Sequence, residues 1–193
     1  MYKRQQQEAP RWVLAVLGAG LLGALAEVRP DLPPALCAEL HGRDRPGLDL
    51  AAAVGWLTDF RPLRAELHVL GDPSALAAAL HRRIEEPRDW TGALPPVALN
   101  YLGDLPAGCG PDLPDAAASP LFGLEAVMWT GPEAVEVRWR FDEAFIPAPT
   151  VQRLADAFSR RAAATLTIRP QTATGPAGLS AADLSRITAT FEG

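Results

Sequence analysis

Glu39, His41, Arg43 and Asp44 stand within one short stretch, ELHGRD. A carboxylate, an imidazole and a guanidinium this close together can exchange protons or hold a developing negative charge. The stretch follows an apolar run, ALCAE (Ala35 to Glu39), of strand length. Strand ends open into clefts, where polar groups often face ligands. The plain structural alternative is a loop salt bridge between Arg43 and a carboxylate. Gly55, Trp56 and Thr58 form a second cluster. Trp56 could wall a pocket there, or serve as a core tryptophan. The third cluster is LNYLG, Leu99 to Gly103, with Asn100 and Tyr101 at the end of an apolar strand pattern. Side chains alternate along a strand, so only one of these two faces any given side. For Tyr101 the alternative is a hydroxyl satisfied at the edge of the core.

These residues need elements to carry them. Pro10 to about Arg29 predicts a buried helix, because WVLAVLGAGLLGALA is apolar on most sides. The run is short for a membrane span and holds three glycines. A buried helix is preferred over a membrane or signal role. Pro30, Pro33 and Pro34 end it. Ala35 to Glu39 predicts a strand and His41 to Leu48 a loop. Leu63, Ala65, Leu67 and Val69 alternate with polar residues, the period of a half-buried strand. Asp72 can cap a helix with Pro73 at its first position and Leu76, Leu80 and Ile84 on one face. Val97, Leu99 and Tyr101 predict the next strand, and Leu105 to Pro120 a loop. Two strands follow around Gly131-Pro132, the second with Val135, Val137, Trp139 and Phe141 alternating with Glu136, Arg138 and Arg140. Thr150 opens a helix striped by Val151, Leu154, Phe158 and Leu166. Pro170 to Gly178 reads as a linker. Ser180 and Asp183 form a capping box for a short last helix. The order is mixed α/β, with one sheet and several packing helices.

Composition narrows the class. The chain has 193 residues, about one domain or one lobe of a larger one. A net charge of −5 argues against nucleic acid, whose phosphates demand a basic surface. Cys37 and Cys109 make no metal-ligand spacing, and a reduced, cytoplasmic protein is expected. Lys3 is the only lysine of an arginine-rich chain, and Tyr2 is one of two tyrosines. The opening residues are therefore expected to be foreign or disordered, with residues 1–9 outside the folded lobe.

In order, ELHGRD, AVGWLTDFRPLRAEL and LNYLG resemble three motifs of the epimerization domains of nonribosomal peptide synthetases: EGHGRE, TVGWFT with a following proline and hydrophobic stretch, and FNYLG. GLSAADLSRI (Gly178 to Ile187) resembles the segment that commonly follows such domains. The resemblance spans nearly the whole chain after its first residues. It implies a chloramphenicol-acetyltransferase-like lobe, a mixed sheet packed with helices. That lobe would be the C-terminal one of two that form a V around a tunnel. Residues 10–169 would be the lobe, and 170–193 a linker with a short helix.

The resemblance also implies a chemistry. The family inverts the α-carbon of an aminoacyl or peptidyl thioester carried on the phosphopantetheine of a carrier domain. No cofactor is bound directly and no metal is needed. Glu39 matches the family's catalytic glutamate, and Asn100 and Tyr101 match positions near the substrate. His41, Arg43, Trp56 and Thr58 are expected to shape the site or meet the carrier arm. The family's second acid/base group is a histidine of HHxxxDG in the other lobe, and none of His41, His68 and His81 lies in such a motif. His68 and His81 are expected on polar surfaces. Leu40 replaces a glycine and Asp44 a glutamate. Glu86 to Pro96, EPRDWTGALPP, lacks the family's Gly-Tyr-Gly motif. The implied partners are the missing N-terminal lobe, a carrier domain and neighbouring synthetase domains, with no nucleic acid or membrane. The chain alone is expected to be inactive. Two other classes stay open: a non-catalytic docking module and a fragment of a peptide-bond-forming condensation domain.

Overall fold

A computed structural model describes residues 11–42, 49–50, 52–54, 57–86, 92–106, 110–111, 121–132, 134–166 and 187–192. Arg43, Trp56 and the Ser180–Asp183 capping box lie outside them, as do most of the expected 41–48 and 105–120 loops. The elements run α1 (Arg11–Val28), β1 (Ala35–His41), β2 (Thr58–Arg64), a 3-10 turn (Leu67–Val69), α2 (Pro73–Glu85), β3 (Val97–Asp104), β4 (Leu124–Thr130), β5 (Val135–Phe141), α3 (Ala148–Leu166) and β6 (Ile187–Glu192). The strands form one sheet in the order β2-β1-β3-β4-β5-β6. β1 pairs with β2, and β4 with β5, antiparallel. β1 with β3, β3 with β4, and β5 with β6 are parallel. A parallel neighbour needs a crossover connection. α2 lies between β1 and β3 in sequence, and α3 lies between β5 and β6.

The three helices among the described residues all pack on one face of the sheet. Leu36, Ala38, Leu63, Leu99, Ala126, Met128, Val137 and Trp139 point into that layer and are buried. Trp139 meets Phe158 of α3 edge to face, with ring centroids 5.9 Å apart. Burying such side chains contributes roughly 2–3 kcal/mol each. α1 is buried nearly all round because it lies between α2, α3 and the sheet. It is long and apolar enough to cross a membrane, yet 72% of it is buried inside the lobe. Its apolar character thus matches a core helix. A Cβ at Gly20 would lie 3.2 Å from the Ala162 Cβ and 3.3 Å from its backbone, so glycine sets how closely α1 meets α3. At the far end, Glu27 receives Arg160 and Arg161 at 2.9 Å each.

The α2 start is as predicted: the Asp72 carboxylate accepts from the Ser74 and Ala75 amides at 3.0 Å each. Its other end is held from the sheet. Arg61 Nη1 donates to the Ile84 and Glu86 carbonyls at 2.9 and 2.7 Å, groups a helix end leaves without internal partners.

Three expectations need correction. The alternating stretch from Leu63 to Val69 is strand only to Arg64, and Leu67–Val69 is a 3-10 turn. The reason is the partner. β1 begins at Ala35, opposite Arg64, and the Ala65 amide makes the last cross-strand bond, to the Pro34 carbonyl at 2.9 Å. Beyond it no strand among the described residues lies opposite. The last helix stripe begins at Ala148 rather than Thr150, because Pro149 fits a helix's first turn. Within 170–193, expected to be linker and short helix, Ile187–Glu192 is a strand that extends the sheet beside β5.

Replacing Gly20 by valine should force α1 and α3 apart and cost about 2 kcal/mol, the typical cost of overpacking. Urea unfolding should show the loss, and Ala162→Gly added to the same chain should restore part of it. An unchanged midpoint in Gly20→Val would mean the helices do not meet there.

Candidate active site

The described helices use one face of the sheet, and the other carries Glu39, Asn100 and further polar residues. Residues in register share a face. Glu39 of β1 stands opposite Asn100 of β3, which stands opposite Val127 of β4 and, through it, Arg138 of β5. His41 lies two residues beyond Glu39 and pairs with Thr58 of β2. The alternation therefore places Glu39, His41, Thr58 and Asn100 on the face away from the helices. Two small apolar groups flank them. Cys37, Ala98 and Phe122 form one, with Phe60 against it. Leu102, Leu105, Val127 and Trp129 form the other.

Asn100 Nδ2 donates to Glu39 Oε2 at 3.0 Å. The parallel register of β1 and β3 makes this bond, because it sets the two residues opposite each other. It leaves Glu39 Oε1 and a second amide hydrogen on Asn100 for other partners. Burial pushes the Glu39 carboxyl up to about 7. The Glu125 carboxylate contributes to that rise and the Arg140 guanidinium opposes it. A carboxyl with this pKa is well matched to taking or giving a proton at neutral pH. Cys37 differs. Burial first, then the Glu39 and Asp59 charges, push its thiol up to about 12. It is a neutral core thiol at neutral pH rather than a nucleophile.

Tyr101 was expected near the substrate, with a hydroxyl satisfied at the core edge as the alternative; its ring is buried in the helix-side core and its hydroxyl lies 2.7 Å from Thr130 Oγ1. The cause is strand alternation: with Asn100 on the open face, Tyr101 must take the other. Burial pushes its phenol up to about 12. The next glycine, Gly103, has φ +80°, and the β3–β4 register shifts between Tyr101 and Asp104. Glycine takes this left-handed backbone without the penalty a side chain would bring. At the end of β1 the Gly42 amide donates to the Leu57 carbonyl and closes the β1–β2 ladder. His68 is exposed on the 3-10 turn, with Nδ1 3.3 Å from Glu66. His81 on α2 packs against Trp12, with ring centroids 5.6 Å apart. Neither shares the open face.

Sequence reasoning missed one pair. Glu125 and Arg140 are hydrogen-bonded at 2.7 Å, with side chains only 10% and 12% exposed. The Leu121 amide donates to the other Glu125 oxygen at 3.1 Å. Glu125 is the lone charge in the strand LEAVMWT, and the β4–β5 hairpin register sets it opposite Arg140. A carboxylate alone in an apolar strand, facing an arginine across a tight turn, was the signal.

No family model matches the chain, and no curated protein matches it. Among solved structures it is similar to the epimerization domain from the third module of tyrocidine synthetase B. That match has 15% identity and a TM-score of 0.56, and covers 79% of this chain and 40% of the other. It is also similar to a condensation domain that mediates chain release from the enacyloxin polyketide synthase. There the identity is 16% and the TM-score 0.46, with 92% of this chain and 40% of the other covered. The chain thus spans well under half the length of either protein. Its six-stranded mixed sheet with α1, α2 and α3 on one face shares the fold of one lobe of a chloramphenicol-acetyltransferase-like epimerization domain.

Proposed function

We propose that this chain supplies one half of an epimerization site, with Glu39 as one of its two acid/base groups. The observation that carries the reading is the Glu39 carboxyl itself. It sits on the sheet face away from α1, α2 and α3, tied to Asn100, with a pKa raised to about 7. The substrate would be an aminoacyl or peptidyl thioester on the phosphopantetheine of a carrier domain. Its thioester acidifies the adjacent Cα–H. In one direction the ionised Glu39 takes the Cα proton, and the C–H electron pair moves into the thioester enolate. A group on the missing lobe then returns a proton to the opposite face, which inverts the centre. In the reverse direction Glu39, now protonated, is the donor. Asn100 keeps Oε2 occupied and so directs Oε1 at the substrate. His41 and Thr58, on the same face, would border the path of the carrier arm. The other lobe, the carrier and adjoining synthetase domains are the partners this chemistry requires, in the cytoplasm.

The purified chain should not convert an L-aminoacyl carrier thioester to the D form, because half of the acid/base pair is absent. Formation of D product by the chain alone would refute the reading. With the other lobe present, Glu39→Gln should slow deuterium wash-in at Cα by about 100-fold or more, the range for losing a general acid/base group. Unchanged wash-in would remove Glu39 from the mechanism. Where Glu39 acts as base, wash-in should rise as pH climbs through about 7.

The same carboxyl links stability to pH. Its folded pKa of about 7 lies above its ordinary value of 4.5. The neutral form is therefore favoured in the fold. The stability this gives is full below pH 4.5 and is lost as pH rises through 7. The shift corresponds to up to about 3 kcal/mol. Glu39→Gln should unfold with the wild type at pH 4.5 and become the more stable protein by pH 8. Parallel pH dependence of the two proteins, followed by urea unfolding, would contradict it.

A further inference from the structure

We infer that the Glu125–Arg140 pair is a positioning device for Glu39, fixing its protonation from across the sheet. This rests on Glu39 being the acid/base group proposed above. The pair lies on the same face as Glu39: Glu125 is in register with Ala98, two residues before Asn100, and opposite Arg140. β4 is two strands from β1 and β5 is three, so at about 4.8 Å per strand the carboxylate sits on the strand nearer to Glu39. The buried guanidinium is held at 2.7 Å by that carboxylate. A lone arginine here would draw Glu39 into its ionised form. A lone glutamate would hold it protonated. The pair does neither fully, and the negative end is the nearer. Arginine at the pair's far end thus tempers the glutamate without overriding it. The Leu121 amide fixes the second Glu125 oxygen, so the loop before β4 helps to aim the carboxylate.

Other charged and titratable groups share the face. They are Cys37 and His41 on β1 and Glu136 and Arg138 on β5. Arg138 lies over the Trp129 ring, 6.0 Å from its centroid. Glu136 pairs with Trp129 and Thr188, toward the Thr130 end of β4. The Cys37 thiol stays neutral through the range in which Glu39 titrates. His41 lies on the same strand two residues from Glu39, so its influence is read separately with His41→Gln.

The test is a carbon-13 NMR titration of side-chain carboxyls in the 193-residue chain, with the Glu39 signal assigned by its loss in Glu39→Gln. Glu125→Gln should lower the Glu39 midpoint by about one pH unit, and Arg140→Gln should raise it, since a neighbouring charge moves a carboxyl pKa by ~1 unit or more. The double variant should return close to the wild type. If either single variant fails to fold, the charge swap Glu125→Arg with Arg140→Glu keeps an ion pair and puts the cation nearer. It should lower the midpoint. A midpoint unmoved in the folded variants, swap included, would overturn the inference. No substrate is needed, so a flat titration would leave the proposed epimerization untouched. Conversely, failure of α-proton exchange in the whole domain would leave the electrostatic role standing.

Discussion

The hydrogen bond between Asn100 and Glu39 depends on β1 lying parallel to β3 with Glu39 opposite Asn100. Most of the lobe serves that register. α2 provides the crossover that parallel strands require, and Asp72 and Arg61 fix its two ends. α1 is held between α2 and α3, with Gly20 allowing the close approach. The helices fill one face with apolar side chains. A one-residue slip of β1 would bury Glu39 among them and expose Leu40 or Ala38. The cost of burying that carboxyl is what keeps the register and leaves the other face for chemistry.

That face is polar without being open water. Phe60 and Phe122 lie edge to face beside Cys37, with ring centroids 5.6 Å apart, and Trp129 lies under Arg138. Burial on this face raises the Glu39 pKa by desolvation. The same burial makes the Cys37 thiol inert. Two ionisable groups two residues apart thus respond differently to one environment: the carboxyl is moved to neutrality, where it can work, and the thiol away from it. The stabilising interactions and the functional one oppose each other here, since the fold is more stable with Glu39 neutral.

Much of this was legible in the sequence. The alternation of β5, the apolar α1 and the Asp72 cap each have a strong local cause, and each was found. So were the strands carrying Glu39 and Asn100. What escaped was non-local. The strand pattern after Leu63 looked continuous because alternation does not show where a partner ends. β6 follows a long stretch rich in Pro and Ala, and only its place beside β5 makes ITATFE a strand. Tyr101 and Asn100 were known to face opposite ways, but the side for each depends on where the helices pack. Glu125 drew no notice because its meaning lies in Arg140, fifteen residues away and on another strand.

The central claim is that the fold holds one carboxyl, Glu39, near neutrality on the sheet face away from α1, α2 and α3. Its titration in the unmodified chain tests this most directly, with carbon-13 side-chain signals followed from pH 3 to 9. The account predicts a Glu39 midpoint near 7. A midpoint near 4.5, the value of an exposed glutamate, would contradict it.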